Sequence, residues 1–335
     1  MSESARPRSS DRVGVRDVAR VAGVSTQTVS RVLNEHPGIR DETRRRVIEA
    51  MAALDYRVNN AARALGTRRT RTIGILASDA NMYGPAIGIL ALEAAARAAG
   101  RWITAAYADA GDEASVVHAA RHLSAQDVDG IVVVAPHART LAALGSARVG
   151  VPVVALHGPD AAELQRDAAI RAIDHLVDAG HVHIAHLAGP EEWLEAQARA
   201  DGFHTALGAH GLVAAGVWGG DWSAASGMAA AAGIADAIRA RSEVTAVFAG
   251  NDQMALGLIA GLVDAGLSVP GDVSVVGVDD NPDAAFYRPP LTTVRLDVAA
   301  EAARCIAEVL AEPQSAASIV VAAPELVVRK STRRL

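Results

Sequence analysis

From Thr72 onward the chain alternates short β-branched runs with Ala-rich amphipathic stretches, and this alternation restricts the fold more than any other feature. TIGILA, ITAAY, GIVVVA and PVVAL are too continuously apolar to have one wet face, so they read as buried parallel strands. Helices near 86–99 and 113–125 separate them. A second series follows: HIAHLA, a helix over 192–210, a short strand near VWGG, a helix over 224–240, AVFAG, a helix over 252–265, and VSVVGV. Parallel pairing needs crossover connections, which gives α/β layers, and two series predict two doubly wound parallel-sheet lobes. Ligands of such folds bind at the carboxyl ends of the strands, here facing one another across a cleft. Half of the 335 residues are hydrophobic but only 3% are aromatic, so Ala, Val, Leu and Ile must build the core.

The first 72 residues have a different texture. They hold 15 arginines against 8 acidic residues, whereas the other 263 carry 17 basic and 30 acidic residues. A basic head on an acidic body is the pattern of a chain whose head alone meets nucleic acid. Residues 1–13 are polar and expected to be disordered. Residues 14–57 show three helical patterns: VRDVARVAG with Val15, Val18, Ala19 and Ala22 on one face, STQTVSRVLN with Val29, Val32 and Leu33 inward, and Asp41 to Leu54 with Val47, Met51 and Leu54 apolar. Gly23 stands where a tight turn is needed, and Ser25 is a good N-cap for the second helix. Thr26 and Gln27 then fill its first turn, with Arg31 one turn later, the positions a recognition helix offers to the major groove. Gln suits an adenine edge, Arg a guanine and the Thr methyl a thymine. A capped, solvated surface helix tolerates the same residues but does not predict the preceding helix and Gly turn.

VRDVARVAGVSTQTVSRVLN followed by TRRRVIEAMAALDY resembles the helix-turn-helix of the lactose-repressor family of bacterial transcription factors, and the likeness continues over nearly the whole chain. It implies base reading by Thr26, Gln27 and Arg31, with Ser25, Thr28 and Ser30 orienting the helix or holding phosphates. Arg40 departs from the small helix-capping residue often found there, so the third helix is expected to start at Asp41. Residues 58–71 form a linker whose Val58–Gly66 stretch is too short for a stable isolated helix. The resemblance implies that it folds on operator DNA: Asn59 starts the hinge helix, small Ala62 lets two copies approach, and Leu65 wedges into the minor groove.

In the body, Asp79, Asn251-Asp252 and Asp279-Asp280 stand at strand ends or helix starts, and Arg199 lies on a helix flanking the cleft. A guanidinium beside an amide and a carboxylate suits vicinal hydroxyls, and Trp222 suits the apolar face of a sugar ring. Each also reads as a cap or surface group; Asn251 equally caps a helix from 252. LAGP, RADGF, GNDQMALG, SVVGVDD and PPLTTVRLD resemble the periplasmic-binding-protein-like effector domain of the same family. The resemblance carries Arg199, Asn251 and Asp279 over as hydroxyl-binding groups, Trp222 as the aromatic platform, and Ser78 and Pro85 as pocket wall. The rim departs from the family: Val134, Ala110, His157, Leu296 and Val298 replace other contacts, LQRDAA replaces a common stretch, and Trp193 and Glu195 bring new groups.

Other signals point elsewhere or nowhere. His181, His183 and His186 do not share one face of a strand, so no metal is expected, and no cofactor motif occurs. Sequence neighbours Asp279 and Asp280 point apart, and no catalytic constellation supports an enzyme. Cys305 excludes an internal disulfide framework and reads as packed or at a subunit contact. No signal peptide or membrane span is visible.

The expected protein is a cytoplasmic homodimer, on the nucleoid when bound. It would repress a carbohydrate operon from a palindromic double-stranded operator until a small sugar-like effector releases it. A nucleobase or other non-sugar effector, or a solute-binding role for the two lobes, is the alternative. The effector domain spans 72–335, with an N-lobe of about 72–165 and 296–325 and a C-lobe of about 166–295 and 326–335.

Overall fold

The computed structural model describes residues 13–33, 36, 38–56, 70–240, 244–311 and 318–335. The chain divides into two compact units, residues 1–70 and 71–335.

The head packs three helices, α1 (Val15–Ala22), α2 (Thr26–Leu33) and α3 (Asp41–Ala53). Val18, Ala19, Ala22, Val29, Val32, Val47 and Ala50 form its small core, with Val15, Leu33, Met51 and Leu54 half-buried around it. Gly23 ends α1 at φ 65, a left-handed conformation that costs glycine little. Its neighbour's amide, Val24 N, donates back to Ala19 O at 3.0 Å and closes the turn. The third helix starts at Asp41, and the Arg40 side chain makes no capping bond. The hinge positions Asn59, Ala62 and Leu65, and the N-terminal stretch 1–12, lie outside the described residues.

The body contains two sheets. The first has the order β2–β1–β3–β4, all parallel, from β1 (Thr72–Ala77), β2 (Trp102–Tyr107), β3 (Gly130–Val134) and β4 (Val153–Ala155). Between them run α4 (Tyr83–Ala98), α5 (Glu113–Ser124) and α6 (Ala138–Ala147). β1 and β3 are buried almost throughout because helices cover both faces, whereas β2 is a half-exposed edge.

The second sheet has the order β10–β9–β8–β7–β5–β6. Its strands are β5 (Ile184–Ala188), β6 (Gly216–Gly219), β7 (Ala246–Ala249), β8 (Ser274–Val278), β9 (Thr292–Arg295) and β10 (Glu325–Val327), and its helices are α7 (Ala162–Asp178), α8 (Leu194–Ala209), α9 (Ala224–Arg239) and α10 (Asp252–Asp264). β10 runs antiparallel to β9, so the second sheet departs from the wholly parallel expectation at its edge. The last helix, α11 (Val298–Val309), returns to the first lobe, where Ala302, Cys305, Ile306 and Val309 pack on Ile73, Ile75, Val132 and Val134. Cys305 is therefore a core residue, and burial pushes its thiol up to about 12.

Glycine sets how closely α9 and α10 approach. A Cβ on Gly257 would meet Ala224 O at 1.7 Å, and one on Gly227 would meet Met254 O at 2.1 Å. Among the described residues, no helix is long and apolar enough to cross a membrane.

Candidate functional site

Two sites emerge, one in each unit. In the head, Thr26, Gln27, Ser30 and Arg31 are all exposed on α2, while Val29 and Val32 are buried. Ser25 caps the helix as its sequence position implies: its Oγ accepts from Thr28 N at 3.1 Å and lies 2.9 Å from Thr28 Oγ1. The Ser25 and Thr28 hydroxyls are thus already engaged with the helix start and with each other.

In the body, a cavity of about 300 Å³ opens where the carboxyl ends of the two sheets face one another. The first lobe supplies Tyr83, Pro85 and Ile87 from the start of α4, and Leu296 and Val298 from the segment entering α11. The second supplies Trp193, Glu195, Arg199, Trp222, Asn251 and Asp279. Six of the seven expected effector-site residues therefore line one space. Ser78 is buried at the end of β1 and is not among the lining residues; neither are Val134, Ala110 or Asp79.

Arg199 is the cavity's anchored cation. It is 5% exposed, and its Nε donates to Gln165 Oε1 at 2.9 Å. Its Nη1 donates to Gly250 O, and its Nη2 lies 3.8 Å from Asp279 Oδ1. Burial raises Asp279 to about 6 against the pull of Arg199 and His157. Asp280 takes a separate set of partners, Arg295 and Arg329, as expected for adjacent carboxylates that diverge.

Asn251 lines the cavity and also caps α10, its Oδ1 accepting from Met254 N at 2.9 Å. Its Nδ2 donates to Trp222 O at 3.0 Å. The amide is committed to the fold at both ends, which makes the capping reading a structural fact and gives it a second task, holding Trp222. That tryptophan is less open than a free stacking platform. Only 6% of it is exposed, the Arg199 guanidinium sits 5.4 Å from its ring centroid, and Trp193 meets it edge-on at 5.9 Å. A Cβ on Gly189 would fall 2.2 Å from the indole, so glycine is required beneath it.

The residues that sequence reasoning did not connect are His157, Gln165 and Glu301. His157 N donates to Glu301 Oε1 at 2.7 Å, its Nδ1 lies 2.8 Å from Oε2, and Gln165 Nε2 is 3.3 Å from the same ring nitrogen. A polar chain therefore runs from Glu301 on α11, through His157 and Gln165, to Arg199 on α8. Burial disfavours the charged imidazole of His157, but the Glu301 carboxylate outweighs it and the net shift is upward. No local motif links these residues, which lie up to 144 positions apart.

Four non-glycine residues that line the cavity, His157, Trp222, Asp279 and Asp280, have positive φ. Each such conformation costs of order 1–3 kcal/mol and persists where the surroundings enforce it. Of the histidines set aside above, His181 and His186 serve the fold, His181 lying 2.9 Å from Thr245 Oγ1 and 3.1 Å from Arg333 O. His186 stacks between Phe203 and Phe248 and bonds Phe248 O at 2.9 Å, burial pushing it down to about 4. Among the described residues no group of acidic, His or Cys side chains is arranged to hold a metal ion.

Comparison with known proteins places this geometry. Residues 15–59 match the model of the bacterial regulatory proteins of the lacI family, and residues 173–332 match a periplasmic binding protein-like domain. The chain is 33% identical to the lactose operon repressor of Escherichia coli over 84% of this chain and 79% of that one. It is 30% identical to catabolite control protein A of Priestia megaterium over 96% and 99% of the two chains, and 32% identical to the HTH-type transcriptional repressor PurR of Glaesserella parasuis over 96% and 98%. Among solved structures it is similar to the lac repressor dimer bound to operator and the anti-inducer ONPF (TM-score 0.74, 30% identity, 96% of this chain and 99% of that one). It is also similar to the complex of the transcriptional regulator CelR with cellobiose (TM-score 0.65, 29% identity, 96% and 100%).

Proposed function

We propose a function from one premise: this chain belongs to the lacI family of bacterial regulatory proteins, and it is a DNA-binding transcriptional repressor rather than an enzyme. Within that family, it represses a carbohydrate-utilisation operon as a homodimer on a palindromic operator. A small hydroxylated effector entering the cavity between the lobes releases it. Thr26, Gln27 and Arg31 read bases, and the effector is held by Arg199 and Asp279, with Trp193 and Trp222 as walls.

The observation that carries the reading is the convergence on one cavity of Arg199 and Asp279, a fork of donors beside a carboxylate, with two indoles. Paired donors and acceptors beside aromatic walls match the alternating polar edge and apolar face of a sugar ring. The kinship with PurR-type repressors keeps a nucleobase as the second reading, since guanidinium and carboxylate suit a heterocycle edge equally.

Arg199→Ala is expected to abolish the effector response in an operator-binding assay while leaving operator affinity in the absence of effector within about threefold, well inside the factor of ten that 1.4 kcal/mol represents. A variant that still responds normally moves the pocket elsewhere. Gln27→Ala or Arg31→Ala should lower affinity for the specific operator by about tenfold or more while changing random-sequence binding much less, since base contacts carry about 1–3 kcal/mol of discrimination. Equal losses on both DNAs remove the base-reading role.

A further inference from the structure

Glu195 is a cavity carboxyl without a side-chain partner among the described residues. It stands in the first turn of α8, is 7% exposed, lines the cavity, and its Oε2 has no hydrogen-bond partner among the described residues. Every other ionisable group close to it is committed. Glu301 is bound twice by His157, and Arg199, which also lines the cavity, is anchored by Gln165, Gly250 and Asp279. Glu195, Glu301 and Asp279 lie beside His157 and Arg199, and of the three carboxyl groups Glu195 is the one to which neither basic group is bonded among the described residues.

A buried carboxylate without a partner is expensive, so burial pushes Glu195 toward its neutral form despite His157 and Arg199 nearby. The field on the other side of the cavity has the same sign. Burial together with the negative charge of Asp279, Asp252, Asp280 and Asp283 raises the phenol of Tyr83 to about 12. A neutral hydroxyl can donate one hydrogen bond to Glu195 but does little to favour its ionised form. An ammonium group supplies both the donor and the balancing charge, and a charge-assisted bond is the stronger kind. An anionic ligand would instead set a second acidic group against the Glu195 carboxyl.

We propose that the effector is an amino-bearing hydroxylated ring, an amino sugar in chemical class, whose ammonium group is held by the Glu195 carboxylate while its hydroxyls face Arg199 and Asp279. The assignment rests on the effector-site reading above and sharpens it to one ligand chemistry.

The test is isothermal titration of the full-length protein, at a pH where the amine is charged, with matched sets. One set is glucosamine, glucose and glucuronate; the other is galactosamine, galactose and galacturonate; adenine and hypoxanthine are included alongside. In one of the sugar sets the amino member should bind about tenfold or more tighter than its neutral parent, and the uronate should not bind measurably. Glu195→Gln, which keeps the shape and removes the charge, should bring the amino sugar and its parent to similar affinity. The ranking on the wild-type protein stands whether or not that variant folds.

A neutral parent or a uronate that binds as tightly as the amine overturns the assignment while leaving the sugar-effector reading intact. So does a Glu195→Gln protein that keeps the preference. Binding of a nucleobase with no binding by any sugar overturns both. Absence of binding by every amino member overturns the assignment outright.

Discussion

His157 and Glu301 meet at the cavity wall with side chains only 12% and 4% exposed, and their pairing has a pH signature. The His157 pKa is raised in the folded protein, so its contribution to stability is complete below its unfolded pKa and is lost as pH rises through the folded value. Burial opposes ionisation of Glu301, but His157 outweighs it and the carboxyl is lowered. Its contribution is therefore present above its unfolded pKa and is lost as pH falls through the folded one. Glu301→Gln should cost about 2 kcal/mol in the window between the carboxylate and imidazole ranges, with the difference shrinking on both sides. All four tryptophans lie in the body, so urea unfolding followed by their fluorescence across pH reports this directly; a pH-independent difference would contradict the pairing. At this scale, residue types near Gly turns and strand ends were readable, but partners were not. Arg199 and Asp279 carried a signal because they sit beside local motifs; LQRDAA marked Gln165's stretch only as a departure, and Glu301 sits in Ala-rich helical sequence that advertises nothing.

Elements were legible where periodicity was strong. β1, β3, β5, β7 and β8 coincide with the apolar runs, and α2 and α3 begin at Thr26 and Asp41 as the caps implied. α6, α7, β9 and β10 were not picked out, and the last two strands are only 4 and 3 residues long. Their pairing, not their composition, makes them strands. In the head, Ser25→Ala should lower stability by about 1 kcal/mol through loss of the bond to Thr28 N, read by far-ultraviolet circular dichroism melting. Gly23→Ala should cost about 1 kcal/mol as well, and for a purely conformational reason, because no atom lies within 4 Å of the added Cβ. In the body, Gly257→Ala should cost about 3 kcal/mol, since the new methyl would overlap the Ala224 carbonyl and force α9 and α10 apart. A melt within about 0.5 kcal/mol of wild type would show that the helices can slide without penalty.

For the whole molecule, the proposed function requires operator and effector to oppose one another. Effector should weaken operator binding by about 5–150-fold, and operator should weaken effector binding by the same factor, since a coupling free energy is shared by both sites. Fluorescence of Trp193 and Trp222 at the cavity and a labelled operator supply the two titrations; unequal factors would exclude this linkage. The sequence by itself determined the division into a basic three-helix head and an acidic two-lobed α/β body, because helical and strand periodicities, caps and charge runs are local properties. It also determined which face of α2 is left open, because Val29 and Val32 must turn inward. Only the tertiary structure decided the composition of the cavity. Its walls come from strand ends and helix starts scattered from Met82 to Ala299, brought together by two sheets and by a helix returning to the first lobe. Whether a buried carboxylate such as Glu195 is paired or left over depends on distances that no spacing in the chain encodes.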